Sequence, residues 1–305
     1  MSGRSWTDQK VLVTGASGFL GASVAEGLVQ LGAAVFGVSR TVPSAESPIR
    51  FLQADVLDRE AMRSIFAQTR PDVVFHLAGK TNAGHGRELV LPAIESNLIS
   101  TVVVLSAALD SGAPRVIVTG SLEEPVPGQP PTGAISPYAA SKWATSIYAQ
   151  MFHSLYALPI TVVRPFMTYG PRQNPAKIIP YLALNLLRGA TPTVSQPDRT
   201  VDWVFIDDVV DGVLAAALAP NAVGRSIDFG TGNLVSIREV VRDLEQIVGA
   251  PGQVTLQAAD QAVGVAGRRA NIEDAANLLE WKATTPLYAG LVKTVAWYRD
   301  RLSQF

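Results

Sequence analysis

The chain has 305 residues, with 25 Lys and Arg against 26 Asp and Glu, a formal net charge of −1 and no cysteine. A near-neutral chain advertises neither nucleic acid nor an anionic membrane as partner. Lack of cysteine excludes disulfides, thiolate catalysis and cysteine metal sites, and fits a cytoplasmic location. The length allows one large or two medium domains. The polar start and the lack of any apolar run approaching a membrane span lead us to expect neither signal peptide nor anchor. His76, His85 and His153 are scattered without a carboxylate at ligand spacing, so no metal site is expected.

In chain order, Val11-Leu12-Val13-Thr14 reads as a buried strand, followed by Gly15-Ala16-Ser17-Gly18-Phe19-Leu20-Gly21 and then a helical pattern. G-x-x-G-x-x-G between strand and helix is a variant dinucleotide fingerprint. Its glycines permit a tight turn and let a pyrophosphate approach backbone N–H groups at a helix N-terminus. The second strand, Ala33–Val38, ends in Ser39-Arg40-Thr41 rather than in the acidic residue that would bind a ribose 2′-hydroxyl. Arg40, helped by Ser39, suits a 2′-phosphate and so favours NADP over NAD. The plain alternative is an exposed arginine after a strand. Asp55 and Val56 follow a further apolar segment, where Asp55 would accept from the adenine amino group. Val73–His76 reads as another buried strand, ending in the small residues Leu77-Ala78-Gly79 beside which a cofactor can lie.

Residues 92–110 and 138–155 are long helical segments. The second carries Tyr138 and Lys142, four apart and so on one face. A phenol is a poor acid or base at neutral pH, and an adjacent cation stabilises its phenolate. The pair can move a proton at an alcohol or carbonyl oxygen while a hydride moves elsewhere. Just upstream, Val116–Gly120 reads as a strand, followed by Ser121-Leu122-Glu123-Glu124, and Leu122–Pro137 as a loop bordering the site. Strands alternate with helical segments up to residue 165, the pattern of a doubly wound parallel sheet. After that proline and glycine are denser, giving a smaller C-terminal lobe.

With these motifs in place, and with Arg164–Arg172, Asp202–Asp208 and Leu278–Trp281 in order after them, the chain resembles the extended short-chain dehydrogenase/reductase family, in its nucleotide-sugar epimerase, dehydratase and 4-ketoreductase group. The resemblance runs from about residue 10 to 300. It implies a Rossmann-type α/β fold, with residues 1–171 as the dinucleotide-binding domain, 201–232 returning to it, and 172–305 as the substrate lobe. It assigns Tyr138 as acid/base, Ser121 as its hydrogen-bonding partner, Lys142 as the group reaching the nicotinamide ribose, and Asn97 as a support of the catalytic helix. The cofactor set it implies is Gly15, Ser17, Gly18, Phe19, Leu20, Gly21, Ser39, Arg40, Asp55, Val56, Leu77, Ala78, Gly79, Tyr138, Lys142 and Pro165.

Glu123 matches the base of dehydratases, but Leu122 stands where a sugar dehydratase of the dTDP-glucose type has Asp. Substrate contacts are expected from Glu123, Met167, Arg172, Arg199 and Arg268. Val201 replaces the usual diphosphate arginine, with Arg199 two residues earlier on the same strand face. The other customary arginine falls near Gln261, leaving Arg268 or Arg269. These features put first an NADP-dependent reductase of a nucleotide-linked 4-keto-6-deoxyhexose. The alternative is an NAD(P)-dependent 4-epimerase or 4,6-dehydratase, and a more distant one is a non-catalytic cofactor-sensing regulator. The resemblance also implies a homodimer through helices 92–110 and 138–155.

Overall fold

The computed structural model describes residues 5–42, 47–82, 84–125, 136–257 and 267–305. Most of the expected loop Leu122–Pro137, and Gln261, lie outside them. The chain divides into two compact units: Met1–Pro165, Val210–Asp228 and Asp274–Trp281 form the first, and Phe166–Val209, Phe229–Glu273 and Lys282–Phe305 the second.

The first unit is built on β1 (Lys10–Thr14), α1 (Phe19–Gln30), β2 (Ala34–Ser39), β3 (Arg50–Gln53), α2 (Arg59–Thr69) and β4 (Val73–His76). Then come α3 (Val90–Ala93), a π-helical turn at Ile94–Ile99, α4 (Ser100–Asp110), β5 (Arg115–Thr119), α5 (Pro137–Tyr156) and β6 (Ile160–Pro165). The second unit holds β7 (Met167–Tyr169), α6 (Ile178–Leu187), β8 (Thr193–Ser195), β9 (Thr200–Val201) and β10 (Trp203–Phe205). Helix α7 (Ile206–Leu218) and β11 (Ser226–Phe229) come next, then β12 (Val235–Ser236), α8 (Ile237–Val248), β13 (Thr255–Gln257), α9 (Ile272–Leu279) and α10 (Leu287–Asp300).

Seven strands form a parallel sheet in the order β11-β6-β5-β4-β1-β2-β3. The neighbours β4 and β2 lie on opposite sides of β1, with Val11 opposite both Val73 and Val35. Strands covered on both faces read as continuous apolar runs, and Val11–Val13, Val74, Phe75 and Val116–Val118 have no exposed surface. One layer packs Phe66 of α2, Val103 and Val104 of α4, and Phe152 of α5 against Leu12, Val74 and Val116.

The sequence put the first boundary at 171 and the returning segment at 201–232. Here the first unit ends at Pro165, and the chain rejoins it over 210–228 and again at 274–281. The reason is pairing: β7 joins β10 in parallel, Met167 opposite Trp203, and takes no place in the seven-stranded sheet. The second unit has two further strand pairs, β8 with β13 and β9 with β12. Asp202 ties its segments together, its carboxylate accepting from the N–H groups of Thr231 (2.8 Å), Gly232 (2.9 Å) and Ala270 (3.0 Å).

One expectation from the sequence needs correction. The helical run Arg87–Asp110 is long and apolar enough, by length and composition, to cross a membrane. The π-helical turn at Ile94–Ile99 joins α3 and α4 into the continuous helix expected over residues 92–110. About a third of its apolar stretch is buried, including Val103–Leu105, Ala107 and Ala108 in the core, while Val90, Leu91 and Ile99 are exposed.

Candidate active site

Helix α1 starts at Phe19 behind Gly18, which has no side chain to cap it. The first-turn N–H groups therefore lack a side-chain acceptor and suit an anion. Two glycines make this geometry possible. Gly15 sits at φ +70°, and a Cβ there would meet the Ala78 nitrogen at 2.7 Å. At Gly21 a Cβ would overlap the Gly15 carbonyl oxygen. Thr14, ending β1, fixes the neighbouring strand: its hydroxyl receives the Ala78 N–H at 3.3 Å and lies 2.8 Å from His76 Nδ1. His76 is buried, and desolvation, with the Lys142 charge second, pushes its pKa down to about 3. A neutral ring accepting from Thr14 carries its proton on Nε2, facing the Ser100 oxygen at 3.4 Å.

These elements border a cavity of about 460 Å³. Its walls include Gly15, Ser17, Gly18, Ser39, Arg40, Asp55, Val56, Leu77, Ala78 and Gly79, ten of the residues expected from the sequence. Phe19, Leu20, Gly21, Tyr138, Lys142 and Pro165 are not among them. Phe19–Gly21 form the first turn of α1 and Pro165 ends β6. Lys80, Glu95 and Ser96 line the cavity and were missed, although Lys80 directly follows the small-residue run. At the end of β2, Ser17 and Ser39 hydroxyls lie 2.8 Å apart, and Ser39 donates to the Thr41 carbonyl. Gln53 donates to the Arg40 carbonyl at 3.0 Å. Glycines where a Cβ would close the cradle, bare N–H groups and a cavity of this size fit a dinucleotide.

The catalytic candidates come together at the ends of β5 and α5. Ser136 caps α5, its hydroxyl accepting the Ala139 N–H at 3.0 Å, and Pro137 occupies the first turn. Tyr138 is thereby placed in the opening turn, with Ser121 near enough to its phenol to favour the phenolate. Burial pushes the phenol up to about 12, Ser121 opposing and Glu123 and Glu124 adding to the rise. Lys142 is buried, and its ammonium donates to the Thr119 carbonyl (2.9 Å) and hydroxyl (3.0 Å). Desolvation brings it down to about 8, against the pull of Glu124. The ammonium faces Thr119, and desolvation is the largest influence on the phenol.

Asn97 sits in the π-helical turn and supports α5. Its side chain donates to Ser141 Oγ at 2.9 Å and accepts the Lys80 N–H at 3.0 Å. Glu123 accepts from the Ser136 cap at 3.3 Å, and its N–H donates to Ser121 Oγ at 3.1 Å. Ser136 and Thr119 escaped the sequence reading. A serine before Pro at a helix start was the available signal for Ser136; nothing pointed to Thr119.

The remaining expected substrate residues belong to the second unit. Met167 opens β7, and Arg172 is exposed at φ +67°. Arg268 lies 5.5 Å over the Phe166 ring. Arg199 precedes β9 with its Nε buried and without a hydrogen bond. Among the described residues no cluster of His, Asp or Glu suited to a metal occurs.

A profile of the NAD dependent epimerase/dehydratase family matches residues 11–230. A UDP-glucose 4-epimerase of Mycolicibacterium smegmatis is 31% identical, over 96% of this chain and 99% of its own length. A dTDP-glucose 4,6-dehydratase of an Actinoplanes species is 29% identical, over 96% and 99%. The solved UDP-glucose 4-epimerase of Thermotoga maritima, with UDP-glucose, superposes with a TM-score of 0.88 at 27% identity, covering 96% of this chain and 99% of that one. These likenesses support the epimerase or dehydratase alternative better than the 4-ketoreductase that the sequence put first.

Proposed function

This chain belongs to the NAD dependent epimerase/dehydratase family, and from that premise we propose that it is a nucleotide-sugar 4-epimerase with Tyr138 as acid/base. The observation that carries the choice is the state of the two glutamates after Ser121. A 4,6-dehydratase needs a base and an acid besides the phenol, to take one proton and expel hydroxide. Here Leu122 is apolar, Glu124 is buried with its carboxylate on the Ser121 N–H, and Glu123 holds the cap of α5. Epimerisation at C4 asks only for proton transfer at one oxygen and a hydride removed and returned.

In this reading the bound dinucleotide supplies the hydride acceptor and donor. Tyr138 takes the C4 hydroxyl proton when the alcohol becomes a ketone, and gives it back when the ketone is reduced from the other face. Ser121 hydrogen-bonds the same oxygen and fixes its distance from the phenol. Lys142 is the cation available to stabilise the phenolate. Asn97 holds the backbone of Lys80 and the Ser141 hydroxyl, keeping α5 in register. Arg199 and Arg268 are our candidates for the nucleotide diphosphate, Arg199 because its buried Nε has no other hydrogen bond.

The family is NAD dependent; within it, Arg40 at the cavity and the lack of an acid at the end of β2 favour the 2′-phosphate of NADP(H). That same feature supports the second reading, net reduction of a 4-keto sugar. Incubating the protein with UDP-hexoses and either dinucleotide, and identifying the sugar formed, tests both. A C4 epimer formed without net change in reduced nicotinamide is expected; stoichiometric loss of reduced cofactor on a 4-keto sugar favours the reductase. Tighter binding of NAD(H) than NADP(H) would remove the role given to Arg40.

We also propose a homodimer in the cytoplasm. On α5, Ile147 (50%) and Leu155 (68%) stand exposed with Tyr148 and Tyr156, and Leu91 (68%) and Ile99 are exposed on the helical run before it. Apolar side chains concentrated on two adjacent helices suit a self-complementary interface.

A further inference from the structure

The turn after β5 grips Ser121 from two sides with one residue. Glu124 Oε1 accepts the Ser121 N–H at 2.6 Å, and the Glu124 N–H donates to the Ser121 carbonyl at 3.2 Å. The carboxylate reaching back to the N–H three residues earlier is one half of a capping box; the other bond is the backbone bond of a tight turn. With the backbone of Ser121 held on both sides, its hydroxyl receives the Glu123 N–H at 3.1 Å, on the side of the site where Ser121 acts on the Tyr138 phenol. Gly120 leaves room for the carboxylate: a Cβ there would collide with Glu124 Oε1 and stand 2.8 Å from Arg164 Cγ.

Glu124 is only 5% exposed, and a buried carboxylate is costly without compensation. Arg164 and Lys142 act on it electrostatically, and Arg164 is itself paired with Asp228 at 2.6 Å. Burial still prevails and holds the carboxyl above its ordinary range. A loop that only reverses the chain has no use for so expensive a group, since water or a neutral side chain can take a turn N–H. The cost makes sense at a place where a hydroxyl must not wander.

We propose that Glu124 is a positioning residue of the reaction, clamping Ser121 so that its hydroxyl stays in place for the oxygen on which Tyr138 acts. The inference rests on the roles proposed for Ser121 and Tyr138. The test is a double-mutant cycle on the full chain, reading kcat, KM, dinucleotide binding and melting temperature for Ser121→Ala, Glu124→Ala and the pair. Glu124→Ala should lower kcat about ten- to a hundredfold, the usual cost of a displaced group, with KM and dinucleotide binding little changed. The double variant should be no more than about twofold slower than Ser121→Ala alone, because nothing is left to position. Glu124→Gln, which keeps the acceptor, should stay within about threefold of the parent, well inside the loss from displacement.

Additive losses in the double variant, or a Glu124→Gln as slow as Glu124→Ala, would overturn the clamp while leaving the function of Ser121 standing. Undiminished kcat in Ser121→Ala would overturn both. If Glu124→Ala does not fold, Glu124→Asp, which draws the carboxylate back by one methylene, takes its place in the cycle under the same requirement.

Discussion

At Tyr138 the protein holds a neutral phenol, pushed up to about 12 by burial, four residues from an ammonium brought down to about 8. Burial favours the protonated phenol, and positive charge beside it favours the phenolate that takes a proton. Tyr138→Phe removes the transferable proton and little else, so dinucleotide affinity should persist while turnover falls by roughly two to four powers of ten. Steady-state rates beside a binding isotherm check this; a variant keeping half the parent rate would exclude Tyr138.

His76 gives a pH prediction. Its pKa is lowered from 6.5 to about 3, so below 6.5 the unfolded chain binds a proton that the folded one refuses. Its contribution to stability is complete above pH 6.5 and is lost as pH falls toward 3, at up to about 1.4 kcal/mol per pH unit. Melting temperatures across that range should decline, and less steeply in His76→Gln. Tyr138 and Lys142 were legible from spacing because the helical period places i and i+4 together. Their protonation was not, since it depends on burial that no local pattern encodes.

Among the elements, the junction of β1 and α1 rests on Gly15. Alanine there meets a positive φ, which costs roughly 1–2 kcal/mol on backbone grounds, and a Cβ 2.7 Å from the Ala78 nitrogen. Gly15→Ala should therefore lower both melting temperature and dinucleotide affinity, the latter by more than about tenfold, or 1.4 kcal/mol. Calorimetric titration against NAD and NADP would show it, and unchanged affinity would contradict the cradle. This junction was readable because glycine spacing, strand and helix each point to it.

The long helix over residues 92–110 was legible from its apolar spacing, but which side faces the core was not: Leu98, Val102 and Leu109 are half-buried while Leu105 is buried. A π-helical turn inserts an extra residue and rotates the helix beyond it, and composition gives no sign of it. On α5, Ile147 and Leu155 are exposed and Trp143 and Met151 half-buried.

For the whole molecule, the parallel sheet was legible because buried strands alternate with amphipathic helices at regular intervals. The division of the chain was less so: β7 leaves the sheet to pair with β10, a long-range choice that local patterns do not encode. Light scattering at micromolar concentration should give the mass of two chains, and Leu155→Glu, placing charge on the exposed face of α5, should shift it toward one chain. A monomer in the parent protein with full activity would rule out the dimer.

The central claim is that C4 is oxidised and reduced within one bound complex, with no net loss of hydride. Its most direct measurement traces deuterium from UDP-glucose labelled at C4 through to the isolated product by proton NMR. The account predicts the C4 epimer with deuterium retained at C4. Deuterium at C6 of a 4-keto-6-deoxy sugar would instead establish dehydration, and a 4-keto sugar formed with its deuterium passed to one equivalent of oxidised dinucleotide would establish net oxidoreduction; either contradicts the account.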